Sequence, residues 1–356
     1  MSAKPVRVLH AAKSLGLGGT EKVMQQFVTG LDTARFETAA FAFADGPRGP
    51  QIREQHIQTF VSQDFLAVLQ RFEPHIVHVH RAGWPETDLL GPIKRARIPV
   101  VVETNVFGRH DPSPLGRIID HHLFVSRFCL ERFHKTTGVE PDPTRYSYLY
   151  NPVDTDLFAA TAKPHDFSVP AAGRISRPDP GKWSPLALEF LPSVIREIPD
   201  FHYHVIGGIP EAQDYVEKNR LQKYVTFHGP VHTDPELAEF LDNVSLLTHA
   251  NDTGESFGLV IAEAMACGLP VVTHPCQGLR DNAQLELVDH GATGLVARNV
   301  EEYAAAVLWL LRHPEQARAM GRAGQEKAVR LFRMQDTADR LGTLYRTLLE
   351  RKGMMP

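Results

Sequence analysis

Short apolar runs alternate with stretches of helical periodicity along most of the chain. Residues 6–12 form the first apolar run and predict a β-strand, and the glycine-rich segment 16–19 follows it. In residues 20–31, Val23 and Phe27 lie on one stripe of an amphipathic helix. Further strands are predicted at 37–43, 76–80, 99–102 and 122–125, and further helices at 64–72, 86–97 and 126–136. This alternation is typical of a parallel sheet covered by helices on both faces.

A second strand–helix series follows residues 151–170, which contain three prolines and little periodicity. We therefore predict two domains, an N-terminal one at 1–164 and a C-terminal one at 165–335. The second series predicts strands at 169–172, 201–206, 225–227, 245–248 and 270–273, and helices at 184–197, 211–219, 234–241 and 258–267. Both halves have the pattern of doubly wound α/β domains, in which ligands bind at the carboxyl ends of strands.

Composition limits the classes of function. With 356 residues the chain exceeds a usual single core, which agrees with two domains. The 38 basic and 42 acidic residues give a net charge of −4, so no overall field favours nucleic acid. The three cysteines (Cys129, Cys267 and Cys276) are widely spaced and form no CxxC motif. They indicate neither a disulfide framework nor a zinc site, and they fit a reducing cytoplasm.

No apolar run approaches the roughly 18 residues of a membrane-spanning helix, and the first residues contain no signal-peptide pattern. The small basic cluster at 94–97 leaves surface contact with a membrane open. We therefore predict a cytoplasmic protein without a transmembrane segment, which peripheral contact could bring to the inner face of the membrane.

The most specific chemistry lies between Glu255 and Glu263. These two carboxylates are eight positions apart, and Ser256 and Gly258 lead from a loop into a predicted helix. The start of a helix presents unpaired N–H groups and the positive end of its dipole, which suits a phosphate. Carboxylates before and inside that helix could bind hydroxyl groups on either side of the phosphate. The segment therefore predicts an enzyme that binds a nucleotide sugar.

Two cations follow the first strand of the second domain. Arg174 and Lys182 are eight residues apart, and they offer a planar fork and a point charge. Such a pair can neutralise a diphosphate that leaves during a reaction. Arg177 lies between them and could compete for this role. A solvated basic loop is the alternative interpretation.

The glycine-rich segment contains Gly16, Gly18 and Gly19 between a strand and a helix, and it resembles a phosphate-binding loop. A dinucleotide fingerprint would require glycine at position 21, where this chain has Glu21, so NAD binding is disfavoured. The segment then predicts either a turn that lets the backbone approach a ligand closely or a simple tight turn.

Two further motifs are less specific. Asp154 and Asp156 form a DxD pattern, but it has no clustered third ligand, so we predict a turn stabilised by side-chain hydrogen bonds and no metal. His78 and His80 end a strand and are assigned to opposite faces, and His80 is the better candidate for a site residue. Trp84 and Phe107 could line an acceptor pocket or belong to the core.

Together these segments resemble the retaining glycosyltransferases of family 4, which have the GT-B fold. Residues Glu255 to Glu263 are similar to the E-x7-E signature of that family. The other segments that carry the resemblance are 18–21, 150–154 with Phe158, 173–182, 227–229, 263–272 and 291–296. The resemblance implies two facing Rossmann-like domains with an interdomain cleft. The C-terminal domain would bind the donor, and a last helix at about 336–352 would pack back on the N-terminal domain.

The resemblance also implies residue roles. Arg174 and Lys182 would neutralise the diphosphate, Glu255 would bind hydroxyls of the donor sugar, and Glu263 would bind the ribose. The other implied donor-binding positions are Gly18, Gly19, Phe227, His228, Gly229, Ser256, Phe257, Gly258, Leu259 and Val260.

On the acceptor side the chain departs from the family. Many relatives carry a histidine where this chain has Asn105. An amide cannot relay a proton at neutral pH, although it can bind a hydroxyl. Glu103 and His80 could supply part of the missing polarity, and Phe107 could line the pocket.

We therefore predict a retaining, metal-independent glycosyltransferase without a cofactor. Its donor would be a nucleoside-diphosphate sugar, with UDP or GDP favoured. Its acceptor would be a hydroxyl of a glycan, a lipid-linked glycan or a small molecule, as in polysaccharide biosynthesis. The alternatives are a nucleotide-sugar epimerase on the same scaffold and an inactive module that binds nucleotide sugars.

Overall fold

The computed structural model describes residues 4–161 and 165–354, which divide into two units. Unit 1 combines the chain up to Pro152 with the chain from Met334, and unit 2 is Val153–Arg333. The chain changes unit at Pro152, ahead of the boundary expected near residue 165, because Val153 bridges to Arg333 and the helix after it packs in unit 2. Residues 162–164, where the predicted first domain ends, lie outside the described part.

Unit 1 is built on a parallel sheet of seven strands within the described residues. The strands are β1 (Val6–Ser14), β2 (Phe36–Ala44), β3 (Gln58–Val61), β4 (Ile76–Arg81), β5 (Val100–Asn105), β6 (His121–Phe124) and β7 (Tyr146–Tyr148). Their order is β3-β2-β1-β4-β5-β6-β7, which is the doubly wound arrangement. The short strands β3 and β7 were not predicted, because their few residues show no clear apolar alternation.

Helices cover both faces of this sheet. They are α1 (Gly19–Gly30), α2 (Arg48–Glu54), α3 (Phe65–Phe72), α4 (Thr87–Ala96), α5 (Arg127–Thr137) and the C-terminal helix (Met334–Arg351). The core contains the apolar residues of β1, β2 and β4 together with those of α3 and α4. The C-terminal helix packs on α1 within unit 1, where Ala338 lies beside Gly30. Because both faces of the sheet are buried, all six residues of β4 are buried.

Unit 2 repeats this plan with six parallel strands in its described residues. The strands are β8 (Ala171–Ile175), β9 (His202–Ile206), β10 (Val225–His228), β11 (Leu246–Thr248), β12 (Val271–Thr273) and β13 (Gly294–Val296), in the order β10-β9-β8-β11-β12-β13. The helices are α6 (Thr155–Thr161), α7 (Leu186–Glu189), α8 (Leu191–Glu197), α9 (Pro210–Lys218), α10 (Asp234–Asp242), α11 (Leu259–Ala266), α12 (Gln284–Leu287), α13 (Val300–Arg312) and α14 (Pro314–Phe332).

Helix α11, which the predicted site includes, is held closely by α14. A Cβ atom at Gly321 of α14 would overlap the backbone oxygen of Gly268, so only glycine allows this approach. Gly324, on the same helix face, lies against Met265 of α11. Close packing on α14 therefore holds the C-terminal part of α11 in place. Among the described residues, no helix is both long and apolar enough to cross a membrane.

Candidate functional site

The start of α11 lies at the carboxyl edge of the unit 2 sheet. Strand β11 ends at Thr248, and ten residues lead to Leu259, the first residue of the helix. Gly258 precedes the helix with a φ of 101°, a left-handed conformation that side chains rarely adopt. The N–H groups of Leu259 and Val260 belong to the first turn, which has no intrahelical acceptors for them. The helix therefore begins with free donor capacity and a positive dipole end.

Glu255 lies just before the start of this helix, and several hydrogen-bond donors contact its carboxylate. Lys182 Nζ lies 2.9 Å from Oε1 and 3.0 Å from Oε2. Asn251 Nδ2 donates to Oε1 at 2.7 Å, and His249 Nε2 lies 3.2 Å from the same oxygen. Burial alone would raise the pKa of Glu255, but the hydrogen bond from His249 and the charge of Lys182 outweigh it and lower the pKa to about 2. The carboxylate is therefore ionised at neutral pH.

Lys182 ends a short 3-10 turn, Pro180–Lys182, that follows β8. Asp179 caps this turn by accepting a hydrogen bond from the N–H of Gly181 at 2.9 Å. The Lys182 side chain stays 25% exposed, so its ammonium can be reached by a ligand. Arg177, the competing cation, is 63% exposed and only loosely paired with Asp179 at 3.6 Å. The structure thus joins Lys182 to Glu255 and leaves Arg177 in solvent.

The side chain of Arg174 is buried, whereas the sequence predicts it at the diphosphate. Its Nη1 donates to the carbonyl of Ala250 at 2.9 Å, and Nη2 donates to the carbonyl of Lys182. Its guanidinium lies 4.2 Å from the ring centroid of Trp183. The backbone and Trp183 enclose the guanidinium in this structure, and direct contact of Arg174 with a diphosphate stays a prediction. Arg174 instead connects the Lys182 turn to the segment that precedes Glu255.

The other predicted residues around α11 have structural partners. Ser256 Oγ donates to Asp281 Oδ2 at 2.9 Å. Phe257 is buried and packs edge-on against Phe332, with ring centroids 5.2 Å apart. Glu263 lies on α11 and is buried, with 5% of its surface exposed. Their side chains help to seat the loop and the helix, and their predicted donor contacts stay predictions.

The predicted base-binding segment ends β10, the edge strand of the sheet. His228 Nε2 lies 3.0 Å from His204 Nδ1 on β9, and Phe227 packs against Gly208. Gly229 follows the strand, and a Cβ there would meet no atom within 4 Å. These residues lie at the same carboxyl edge as Arg174, because all strands of the sheet are parallel. Contact with a nucleobase stays a prediction.

In unit 1 the predicted glycine loop joins β1 to α1. Gly18 is the N-cap residue of α1, and Gly19 is its first residue. Glu21, which occupies the fingerprint's third glycine position, accepts a hydrogen bond from Ser14 Oγ at 3.1 Å. A Cβ at Gly18 would overlap the Glu21 carboxylate. Side chains of the turn and of its flanking elements therefore stabilise it. Its contact with a nucleotide-sugar donor stays a prediction.

His80 is buried rather than open to a ligand. His78 and His80 stack with ring centroids 4.4 Å apart on the same side of β4, so their assignment to opposite faces was wrong. Residues two apart in a strand share a face. Burial lowers the pKa of His80 to about 3, which keeps it neutral and unsuited to acid catalysis at neutral pH.

A hydrogen-bonded chain explains this histidine cluster. His10 Nδ1 lies 3.0 Å from His80 Nε2, and the Tyr345 hydroxyl lies 2.5 Å from His78 Nδ1 and 3.4 Å from His10 Nε2. His78 Nε2 completes the chain at 2.8 Å from Thr104 Oγ1. The three imidazoles also lie within 4.8 Å of one another, a spacing that could hold a metal ion. Because the chain uses every ring nitrogen except His80 Nδ1, hydrogen bonding accounts for the cluster.

The predicted acceptor residues fall into two groups. Glu103 is fully buried, and it binds Arg81 Nε at 2.5 Å and His122. Asn105 is also buried, and its Nδ2 donates to the carbonyl of Arg109 at 2.7 Å. Both side chains therefore anchor the edge of the sheet, and their predicted contact with an acceptor stays a prediction. Phe107, in contrast, is 42% exposed.

Sequence reasoning missed Arg81, which holds this network together by also donating to Asp111 at 3.0 Å. One signal could have found it. Arg81 and Asn105 are the last residues of adjacent parallel strands and pair in register, which places both at the ligand-binding edge. In unit 2, His249 and Asn251 were missed in the same way, although His249 directly follows β11 and Asn251 lies two residues further on.

The DxD pattern has two separate structural roles. Asp154 Oδ1 accepts a hydrogen bond from the N–H of Leu157 at 3.0 Å, which caps helix α6. Asp156 accepts both Nε and Nη2 of Arg333, at 3.1 Å and 2.9 Å. These partners account for both carboxylates within unit 2.

Comparison with known proteins gives the family. The profile of glycosyl transferases group 1 matches residues 167–313. A D-inositol 3-phosphate glycosyltransferase from Segniliparus rotundus is 30% identical over 320 residues, which cover 79% of this chain and 68% of that protein. A GDP-mannose-dependent α-(1-6)-phosphatidylinositol monomannoside mannosyltransferase from Mycobacterium tuberculosis is 31% identical over 254 residues, covering 65% of this chain and 63% of that protein.

Solved structures share the fold. HepE from Anabaena in complex with UDP and glucose superposes with a TM-score of 0.77 at 18% identity, covering 96% of this chain and 100% of that chain. A glycosyltransferase from Rickettsia africae gives a TM-score of 0.78 at 14% identity, covering 98% and 100%. The predicted GT-B fold with two Rossmann-like domains is confirmed. The sequence match to the Segniliparus enzyme also confirms the family: this chain is an enzyme of the group 1 glycosyl transferases, in glycosyltransferase family 4.

Proposed function

We propose that the protein transfers a sugar from a nucleoside-diphosphate sugar to a hydroxyl group with retention of the anomeric configuration. The ion pair of Lys182 with Glu255 before the start of α11 carries this proposal. A cation and a helix N-terminus attract the diphosphate, and a carboxylate beside them accepts hydrogen bonds from sugar hydroxyls. The donor would bind to unit 2, and the acceptor would bind to unit 1.

Donor binding would change the partner of Lys182. Its ammonium neutralises Glu255 in the free protein, and a diphosphate carries more negative charge than one carboxylate. Lys182 would therefore turn to the diphosphate, joined by the N–H groups of Leu259 and Val260. Glu255 Oε2, whose hydrogen-bond partner among the described residues is Lys182, would then accept a sugar hydroxyl. Arg174 would hold the Lys182 turn in place through its bond to the Lys182 carbonyl.

The chemical step needs no base from the protein. The acceptor oxygen attacks the anomeric carbon on the face from which the diphosphate departs. The bond between the anomeric carbon and the phosphate oxygen breaks, and that oxygen takes the proton of the acceptor hydroxyl. Lys182 and the helix end stabilise the charge that develops on the leaving group, and this electrostatic effect supplies most of the rate gain. In this proposal the reaction requires neither metal nor cofactor.

The relatives guide the choice of substrates. One is named for an inositol phosphate acceptor and another for GDP-mannose and a phosphatidylinositol mannoside. HepE was crystallised with UDP and glucose. We therefore expect a UDP- or GDP-linked hexose as donor and a polyol or lipid-linked glycan as acceptor. The exposed rings of Trp84 and Phe107 in unit 1 could pack on such an acceptor.

The experiment begins with the thermal midpoint of the purified protein in the presence of UDP- and GDP-hexoses. The correct donor should raise the midpoint because it binds only the folded state. That donor is then incubated with inositol, inositol phosphate and lipid-linked acceptors, with and without EDTA, and the product anomer is assigned by NMR. An inverted anomer would contradict retention, and activity lost with EDTA would contradict metal independence. Epimerised donor in samples without acceptor would support an epimerase instead.

A further inference from the structure

The two oxygens of the Glu255 carboxylate have unequal surroundings. Oε1 receives Lys182 Nζ, Asn251 Nδ2 and His249 Nε2, at 2.9 Å, 2.7 Å and 3.2 Å. Oε2 has Lys182 Nζ as its partner at 3.0 Å. The donors also differ in exposure, because Lys182 is 25% exposed whereas Asn251 and His249 are buried. One donor can therefore move to a ligand while the other two cannot.

The backbone before Glu255 is fixed from several sides. The N–H of His249 donates to Val272 on β12 at 2.8 Å, and the N–H of Asn251 donates to His274 Nε2 at 3.1 Å. Arg174 donates to the carbonyl of Ala250 between them at 2.9 Å. These bonds hold His249 and Asn251 in place independently of Glu255.

The side chains have defined orientations. His249 Nδ1 lies 3.2 Å from Thr273 Oγ1, whose hydroxyl can donate to it, which leaves the proton on Nε2 to bind Glu255. Burial lowers the pKa of His249, so the ring donates as a neutral imidazole. The Asn251 amide must turn its NH2 group to the carboxylate, and its Oδ1 has no hydrogen-bond partner among the described residues. The interaction with Glu255 therefore sets the orientation of this amide.

We infer that His249 and Asn251 are positioning residues that keep Glu255 oriented and ionised after Lys182 has turned to the donor diphosphate. Without them, the Glu255 carboxylate would lose its remaining hydrogen-bond donors when the ligand binds, and a largely buried charge would be left uncompensated. With them, Oε1 stays engaged and Oε2 is free to accept a hydroxyl of the transferred sugar. The inference rests on the proposed transfer reaction, since it assigns these residues a task within it.

The charged and titratable groups that face Glu255 come from four elements. They are Lys182 from the turn after β8, His249 from the end of β11, Arg174 from β8 and Cys276 from the segment after β12. Of these, Lys182 and His249 contact the carboxylate. A change in the acid side of the pH profile after substitution of His249 or Asn251 therefore reports on Glu255.

The experiment compares His249→Ala, His249→Gln and Asn251→Ala with the wild type under donor saturation. The glutamine amide can place an N–H where the imidazole Nε2 lies, so this variant should recover most of the activity. We expect each alanine variant to lower kcat about tenfold. We also expect the acid limb of the kcat–pH profile to move about one pH unit towards higher pH, which is a tenfold change in the protonation equilibrium of Glu255. Asn219→Ala is the matched control, because its exposed amide caps α9 by donating to the carbonyl of Tyr215.

The outcomes separate this inference from the proposed function. Wild-type kcat and an unmoved acid limb in both alanine variants would overturn the inference. A lower kcat without recovery in His249→Gln and without a shift of the acid limb would also overturn it, because it indicates only lost packing. If Asn251→Ala does not fold, the pair of His249 variants decides. Full activity of Glu255→Ala would overturn the proposed function itself.

Discussion

Lys182 and Glu255 form a two-point ion pair, in which the ammonium lies 2.9 Å from one carboxylate oxygen and 3.0 Å from the other. The residues are far apart in sequence and meet because β8 and β11 are neighbours in the unit 2 sheet. Their pairing places opposite charges at the start of α11. This relationship makes Lys182 the cation that a diphosphate would recruit.

Replacing Lys182 with alanine should lower kcat by about 10²- to 10³-fold, the usual effect of removing one group that stabilises developing negative charge. Donor-dependent initial rates at saturating acceptor would measure it. Arg177→Ala is the matched control, because this cation of the same loop is exposed and pairs with Asp179. Equal losses in the two variants would point to the general charge of the loop rather than to Lys182.

The low pKa of Glu255 makes part of the stability depend on pH. A carboxyl group whose folded pKa is about 2, below its usual value of 4.5, stabilises the fold above pH 4.5, and this contribution is lost as the pH falls towards 2. We expect the free energy of unfolding of the wild type to fall more steeply over this range than that of Glu255→Gln. Urea unfolding at several pH values measures both slopes. Parallel curves would contradict the assigned pKa.

Arg174 should behave as a structural residue of the site. Arg174→Ala would leave the carbonyls of Ala250 and Lys182 without their donor, and each loss costs about 1–3 kcal/mol. We expect a lower thermal midpoint and a change in the fluorescence of Trp183, which stacks on the guanidinium. Arg174→Lys keeps the charge but loses the planar guanidinium that donates to both carbonyls, so it should restore little of the stability. Unchanged stability with lost donor affinity would instead favour direct phosphate contact.

The buried histidine chain of unit 1 depends on the hydroxyl of Tyr345. Tyr345→Phe would remove the partner of His78 Nδ1 and His10 Nε2, and we expect a loss of about 1–3 kcal/mol in the free energy of unfolding. Urea unfolding would measure the change. The control is Tyr148→Phe at a ring that is 42% exposed, where the change should stay within about 0.5 kcal/mol. A neutral Tyr345→Phe would show that the chain does not stabilise the fold.

Two glycines in helices should respond in opposite ways to alanine. At Gly321 the added methyl overlaps the backbone oxygen of Gly268, so we expect a destabilisation of about 1–3 kcal/mol. At Gly91 in α4, a Cβ would meet no atom within 4 Å, and alanine should stabilise the helix by about 0.5–1 kcal/mol. Thermal unfolding of both variants tests this difference. Similar effects at the two positions would contradict the close packing of α11 on α14.

Much of the fold could be predicted because its strands are buried on both faces. Strands such as β4 and β5 begin with apolar residues and are buried at every position, and helices such as α5 carry both a cap and an apolar stripe. The unpredicted strands, β3, β7 and β13, are short and lie away from the middle of their sheets. Their three or four residues include polar or glycine positions and form no clear apolar run, so only pairing with a neighbouring strand identifies them.

The sequence by itself determined the family and indicated a site near Glu255, because the order and spacing of the motifs can be identified without coordinates. Tertiary structure alone decided which side chains reach that place. In the folded protein four predicted site residues are buried, because their hydrogen-bond partners come from distant segments. These residues are Arg174, His80, Glu103 and Asn105. Tertiary structure also brought His249 and Asn251 to the carboxylate. Spacing along a chain indicates which edge of a sheet a residue occupies, but burial and hydrogen bonding decide where its side chain points.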